Sequence, residues 1–163
     1  MKYSLIFLFF IPQLCFSQGK YSYEFSSLLE KKFVTEKDLS LLKGFRYEQG
    51  IILGEISENA PYYLAFEVFR KANVRVVIFE KMVNPETKTK SVIEVLKFSN
   101  VLKNQEVRVS GCSRKNPYPD EKIVAVVTNN TPKIKILQAF VLKDSRFEKL
   151  DIKKIKCINE IDY

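Results

Sequence analysis

The sequence predicts an α+β domain with one or two short N-terminal helices followed by an antiparallel sheet of about five to seven strands. Apolar residues follow a helical spacing before residue 44. From Tyr62 onwards, runs rich in aromatic and β-branched residues recur about every ten residues. The links between these runs are short, which favours an antiparallel arrangement.

Two local patterns predict the helices. Apolar residues between 22 and 33 repeat at i, i+3 and i+4, which is typical of a short amphipathic helix. They are Phe25, Leu28, Leu29 and Phe33. A second helix is predicted over 36–43, because Thr35 and Asp38 resemble a capping box and Gly44 is a suitable C-terminal residue.

The strands are predicted from apolar runs that turn signals separate. The runs are 51–53, 62–69, 74–79, 91–98, 105–112, 123–127, 133–142 and 147–158. The runs 62–69 and 74–79, on either side of the polar residues 70–73, predict a hairpin. The run 91–98 is compatible with strand or helix. Because 123–127 is continuously apolar, it predicts a central strand.

Residues 1–17 predict a secretory signal peptide. Lys2 supplies a positive start, residues 5–11 are uninterrupted apolar chain, and small residues precede a cleavage site after Ser17. A transmembrane anchor would need about 20 apolar residues. A lipoprotein site at Cys15 is disfavoured, because the residues before it are not small. We therefore expect a single domain over 18–163, periplasmic or secreted, without a transmembrane anchor.

Cleavage would leave 146 residues with two cysteines, Cys112 and Cys157, and a net charge of +7 from 26 Lys and Arg against 19 Asp and Glu. An even cysteine pair in an exported protein predicts a disulfide. The bridge would close a loop of about 46 residues, worth roughly 4 kcal/mol in the chain-entropy model.

The chain contains no histidine, which excludes a Ser-His-Asp triad, a Cys-His pair and a His-ligated zinc site. Three cysteines are too few for a four-thiolate metal site. Because there is also no glycine-rich phosphate loop, we expect no cofactor, no metal and no catalytic residue.

Positive charge is concentrated in the later part of the chain. Residues 18–69 carry six Lys and Arg and eight Asp and Glu, whereas residues 70–163 carry 20 and 11. The candidate partner-binding residues are Tyr118, Lys133, Lys135, Lys153, Lys154 and Lys156. An acidic protein or an anionic envelope polysaccharide would suit this charge. Lysines that only protect sheet edges are the alternative interpretation. Nucleic acid is disfavoured, because no binding motif is present.

Carboxylates provide the remaining acid–base groups. Glu55, Glu58 and Glu67 lie close together in the sequence, and a pair at the right separation would suit a glycosidase-like hydrolase. A structural component of the cell envelope is a further alternative. The preferred hypothesis is a non-enzymatic binding or inhibitor-type module.

The region from about 88 to 160 resembles small exported proteins of unknown function from Gram-negative bacteria. The matching stretches are Glu94-Val95-Leu96-Lys97, Gly111-Cys112, Glu121-Lys122-Ile123-Val124-Ala125-Val126-Val127 and Cys157-Ile158-Asn159-Glu160. The resemblance implies export and cysteine pairing, and it implies no activity.

Overall fold

The computed structural model describes residues 23–54, 63–114, 122–129 and 134–158. Of these residues, 58% lie in strands and 12% in helical segments, and no helix in these ranges reaches seven residues. All strand pairs are antiparallel and form three sheets. The α+β prediction with N-terminal helices is therefore wrong, and the protein is predominantly β.

The helical residues form short 3₁₀ helices at Tyr23–Leu28, Glu36–Asp38, Ser40–Leu42 and Ile152–Lys154. The first six strands are β1 (Lys32–Phe33), β2 (Arg46–Leu53), β3 (Leu64–Lys71), β4 (Val74–Asn84), β5 (Thr89–Phe98) and β6 (Gln105–Arg108). The remaining five are β7 (Cys112–Arg114), β8 (Ile123–Thr128), β9 (Ile136–Lys143), β10 (Arg146–Lys149) and β11 (Ile155–Cys157).

The predicted N-terminal α-helix fails because its apolar spacing also suits a 3₁₀ turn, in which residues three apart share a face. Phe25 and Leu28 are buried, but Leu29 is 40% exposed. Glu30 then adopts a φ of 62°, which ends the helical segment, and Phe33 enters β1 opposite Lys90. A segment this short gains little from α-helical cooperativity, so its packing on the sheet determines its conformation.

The second predicted helix is replaced by two 3₁₀ turns. The carboxylate of Asp38 accepts the backbone N–H groups of Thr35 (3.0 Å) and Val34 (2.9 Å), which lowers its pKa. Gly44 follows with a φ of 83°, a conformation that glycine adopts without strain. The predicted start and stop signals are therefore used, although no α-helix forms between them.

Two sheets pack face to face. The five-stranded sheet has the order β1-β5-β4-β3-β2, and the four-stranded sheet has the order β10-β9-β8-β6. Phe66 lies between Phe79 (ring centroids 5.6 Å apart) and Phe147 (5.7 Å). The predicted hairpin around 70–73 is confirmed as β3–β4.

Further layers cover the outer faces of both sheets. The N-terminal 3₁₀ segment contributes Phe25, Leu28, Phe33, Leu39 and Leu42 to a second core cluster on the five-stranded sheet. On the other side, Ile155 of β11 packs against the four-stranded sheet. Double coverage explains the continuous apolar runs of β4 and β8, because residues on both faces of these strands are buried. The prediction of a central strand over 123–127 is confirmed.

The predicted disulfide is confirmed. Cys112 in β7 lies directly opposite Cys157 in β11, and the two residues are bonded with their Cα atoms 4.1 Å apart. The bond closes the two-stranded sheet that covers the four-stranded sheet. Among the described residues, no helix has the length and apolarity to cross a membrane.

Candidate functional site

A cavity of about 840 Å³ lies at one end of the two packed sheets. The start of β2, the β3–β4 turn and the β5–β6 connection enclose it. We call it the basic groove. Its lining residues are Gly44, Arg46, Glu48, Arg70, Lys71, Ala72, Asn73, Arg75, Val101, Leu102, Lys103, Gln105, Glu106 and Asn129.

Glu48 organises the arginines of this groove. The β2–β3 register shifts between Tyr47 and Gln49, so Glu48 occupies a bulge, a feature that redirects a side chain. Its Oε2 lies 2.6 Å from Nε of Arg75, and its Oε1 lies 3.6 Å from a terminal nitrogen of Arg70. The Arg75 side chain is 8% exposed, whereas that of Arg70 is 51% exposed. Arg75 is therefore a fixed part of the floor, and Arg70 is accessible at the rim.

The β3–β4 turn is fixed in place. Ala72 has a φ of 50°, and its carbonyl accepts a hydrogen bond from Arg75 (3.1 Å). The side-chain amide of Asn73 donates to Asn100 (3.1 Å), and the Val101 N–H donates to the Asn73 carbonyl (2.8 Å). These bonds join the turn to the β5–β6 connection, so both walls of the groove are preorganised.

The groove contains five cationic side chains and two carboxylates. Arg46, Lys71 and Lys103 form no ion pair with any carboxylate in the described ranges. Lys71 lies over the ring of Phe45, with its Nζ 5.6 Å from the centroid. A concave surface with excess charge of one sign focuses the electric field and concentrates ligands of the opposite sign. The groove is therefore suited to an anion.

A second polar cluster lies on the outer face of the five-stranded sheet. Nζ of Lys90 is 2.6 Å from Oε1 of Glu67 and 2.8 Å from Oε1 of Glu80. Glu80 is fully buried, and its Oε2 makes no hydrogen bond within the described part of the chain. The side chains of Glu67 and Lys90 are also largely buried.

Burial raises the pKa of Glu80 to about 7. The hydrogen bond from Lys90 lowers this pKa, whereas the negative charge of Glu67 raises it further. Burial disfavours the charged form of Lys90, but its bonds to Glu67 and Glu80 outweigh this and raise its pKa. Desolvation likewise raises the pKa of the nearby Tyr63 phenol.

This cluster bears on the hydrolase alternative, because Glu67 was one of its candidate carboxylates. The Lys90 ammonium forms ion pairs with both Glu67 and Glu80, and all three side chains are largely buried. The arrangement therefore forms a buried ion cluster and does not provide an acid–nucleophile pair. Glu55 and Glu58 lie outside the described residues.

The candidate partner-binding lysines that the structure describes lie apart from the groove lining. Lys135 is exposed just before β9, Lys153 and Lys154 are exposed on the last 3₁₀ helix, and Lys156 is exposed on β11. Tyr118 and Lys133 lie outside the described residues. The described lysines do not line the basic groove. Lys153, Lys154 and Lys156 lie on consecutive elements, and we call these three the lysine surface.

Sequence reasoning missed the basic groove. Its three arginines, Arg46, Arg70 and Arg75, are half of the six arginines in the chain. Their clustering between positions 46 and 75 was visible in the sequence. The whole chain has 21 lysines and only six arginines, and this excess of lysine obscured the clustering of arginine. No group of three or more His, Cys, Asp or Glu in the described ranges is placed to hold a metal ion. Comparison with protein-family models, curated proteins and solved structures finds no match to this chain.

Proposed function

We propose that this protein is an exported, non-enzymatic binding module whose basic groove binds an acidic partner. The observation that carries the proposal is the lining of the basic groove, with five cations against two carboxylates. The groove lies on rigid strands and a pinned turn, which reduces the entropy lost when a ligand binds.

Different groove residues would have different roles in binding. Arg70, Arg46 and Lys103 are the side chains available to a ligand oxyanion, and the planar fork of arginine suits carboxylate and phosphate groups. Arg75 is committed to Glu48, so it contributes positive potential from below and holds the bulge in place. This division predicts that rim substitutions affect binding, whereas loss of Arg75 affects folding as well.

Export is supported by the signal-peptide pattern of residues 1–17, in which a positive start, an apolar run and small residues follow one another. These residues lie outside the described part of the chain. The resemblance of about 88–160 to small exported proteins also supports export. The disulfide between Cys112 and Cys157 is compatible with an oxidising compartment. An acidic protein or an anionic envelope polysaccharide would be accessible to the protein there.

The test is titration of the protein with poly-L-glutamate at low and moderate salt. We expect binding that weakens as salt rises, because exposed charge pairs are screened. The double variant Arg70→Gln/Lys103→Gln should lose about tenfold in affinity, since each exposed pair contributes roughly 0.2–1 kcal/mol. The matched control is Lys153→Gln/Lys154→Gln, which removes the same charge from the separate lysine surface.

The control variant should bind poly-L-glutamate as tightly as the parent does. If the control loses affinity and the groove variant does not, the binding site is the lysine surface and the groove assignment is wrong. If the parent fails to bind at low salt, the acidic-partner proposal is wrong.

A further inference from the structure

The edge strands of the two main sheets face each other. β2 is the last strand of the five-stranded sheet, and β6 is the last strand of the four-stranded sheet. The side-chain amide of Gln49 donates to the Val107 carbonyl and links the two edges. We call the gap between β2 and β6 the seam.

Cavities occupy both ends of the seam. The basic groove lies at the Arg46 end, where the start of β2 meets Gln105 and Glu106. A cavity of about 190 Å³ lies at the Leu53 end, between residues 51–54 and 109–112. The lining of this second cavity includes Ile51, Ile52, Leu53, Val109 and Ile123, together with Lys122. One end of the seam is therefore cationic, and the other presents the side chain of Ile52, which is 45% exposed.

The outer edge of β2 is available for pairing. β2 pairs with β3 alone, and within the described ranges its residues make no backbone hydrogen bonds beyond that pairing. It has eight residues, whereas the other edge strands of the two large sheets, β1, β6 and β10, have two, four and four. β2 contains no proline and no lysine, and its charged residues and its bulge lie in its first half, so residues 50–53 carry none of the features that commonly protect an edge. A long edge with an unprotected half is a template for an added strand.

We propose that β2 binds an extended segment of a partner protein as an added β-strand, with acidic side chains at the Arg46 end and apolar side chains at the Leu53 end. This inference rests on the proposed function, and it specifies the acidic partner as a protein segment in extended conformation. Charge complementarity with the basic groove selects the acidic end of the segment, and the exposed side chain of Ile52 favours an apolar residue at the other end. A segment matching all of β2 would span about 26 Å at roughly 3.3 Å per residue.

The experiment uses a synthetic peptide with a block of glutamates at one end and alternating valine and threonine at the other. In an added strand, only every second peptide N–H faces β2. Two N-methylated versions of the peptide are therefore made. One carries the methyl groups at the odd-numbered positions of the apolar half, and the other carries them at the even-numbered positions. One version should lose at least tenfold in affinity, because several backbone hydrogen bonds disappear, and the other should bind nearly as well as the parent peptide.

Hydrogen exchange of the protein gives a second readout. Peptide binding should slow exchange at outward-facing amides of β2, while the Arg70→Gln variant should weaken binding several-fold. Arg146→Gln, which removes an exposed arginine from β10, is the matched control and should bind like the parent.

The outcomes separate the two proposals. If the peptide binds but both N-methylated versions bind equally well and β2 exchange is unchanged, strand addition is wrong while anion binding stands. If neither the peptide nor poly-L-glutamate binds, both proposals are wrong. If β2 is protected in a dimer without peptide, a second copy of the chain occupies the seam and the peptide proposal is wrong.

Discussion

Substitution of the buried Glu80 should change how the stability of the protein depends on pH. Its pKa of about 7 lies above the ordinary carboxyl value of 4.5 that applies to the unfolded chain. Between these values, the folded protein holds a proton that the unfolded chain has released. Folding stability therefore falls as pH rises through this window. At 1.36 kcal/mol per pKa unit, the loss amounts to about 3 kcal/mol.

Glu80→Gln removes this proton linkage. The free energy of unfolding of the variant minus that of the parent should therefore increase by up to about 3 kcal/mol between pH 4.5 and pH 8. Because the chain has no histidine, few other side chains titrate in this range. The charged or titratable groups around Glu80 are Lys90, Glu67 and Tyr63.

Urea unfolding at half-unit pH intervals, followed by circular dichroism, measures this difference. Glu86→Gln is the matched control, since it removes an exposed carboxylate from the β4–β5 turn, and its difference profile should be flat. A Glu80→Gln profile that changes by less than about 0.5 kcal/mol across the range would refute the linkage, because the uncertainty of such measurements is comparable.

Two further predictions concern the disulfide and export. Cys112→Ser/Cys157→Ser should lower the free energy of unfolding by about 4 kcal/mol, because the bond closes a loop with a sequence separation of 45. Urea midpoints of the two proteins check this, and a loss below about 1 kcal/mol would show that the bond does not constrain the unfolded chain. N-terminal sequencing of protein recovered from an exporting bacterial host should begin at or near Gln18. Recovery of mature protein that retains Met1 would contradict export.

Local sequence patterns predicted the interior strands well. The runs over 74–79 and 123–127 became parts of β4 and β8, because a strand buried on both faces needs apolar residues at successive positions. The turn at 70–73 was equally clear. The N-terminal segment was mispredicted because a spacing of three residues suits both a 3₁₀ turn and an α-helix.

The candidate groove could not be assembled from sequence in the same way. Arg46 and Glu48 lie near the start of an exposed edge strand whose polar residues obscure the β-pattern, so only 51–53 was predicted there. Arg75 and Lys103 reach the groove through the strand register and the pinned turn, which are tertiary features. Sequence composition showed that the later part of the chain is basic, but not which cations converge.

The layered arrangement also constrains when the protein can finish folding during synthesis. β11 is the last described strand, yet its Ile155 and the bonded Cys157 help to cover the outer face of the four-stranded sheet. A nascent chain that ends before β11 would leave apolar residues of β8 and β9 uncovered, including Ile123 and Val141. Such a chain would remain incompletely packed and available to holding chaperones until β11 is in place.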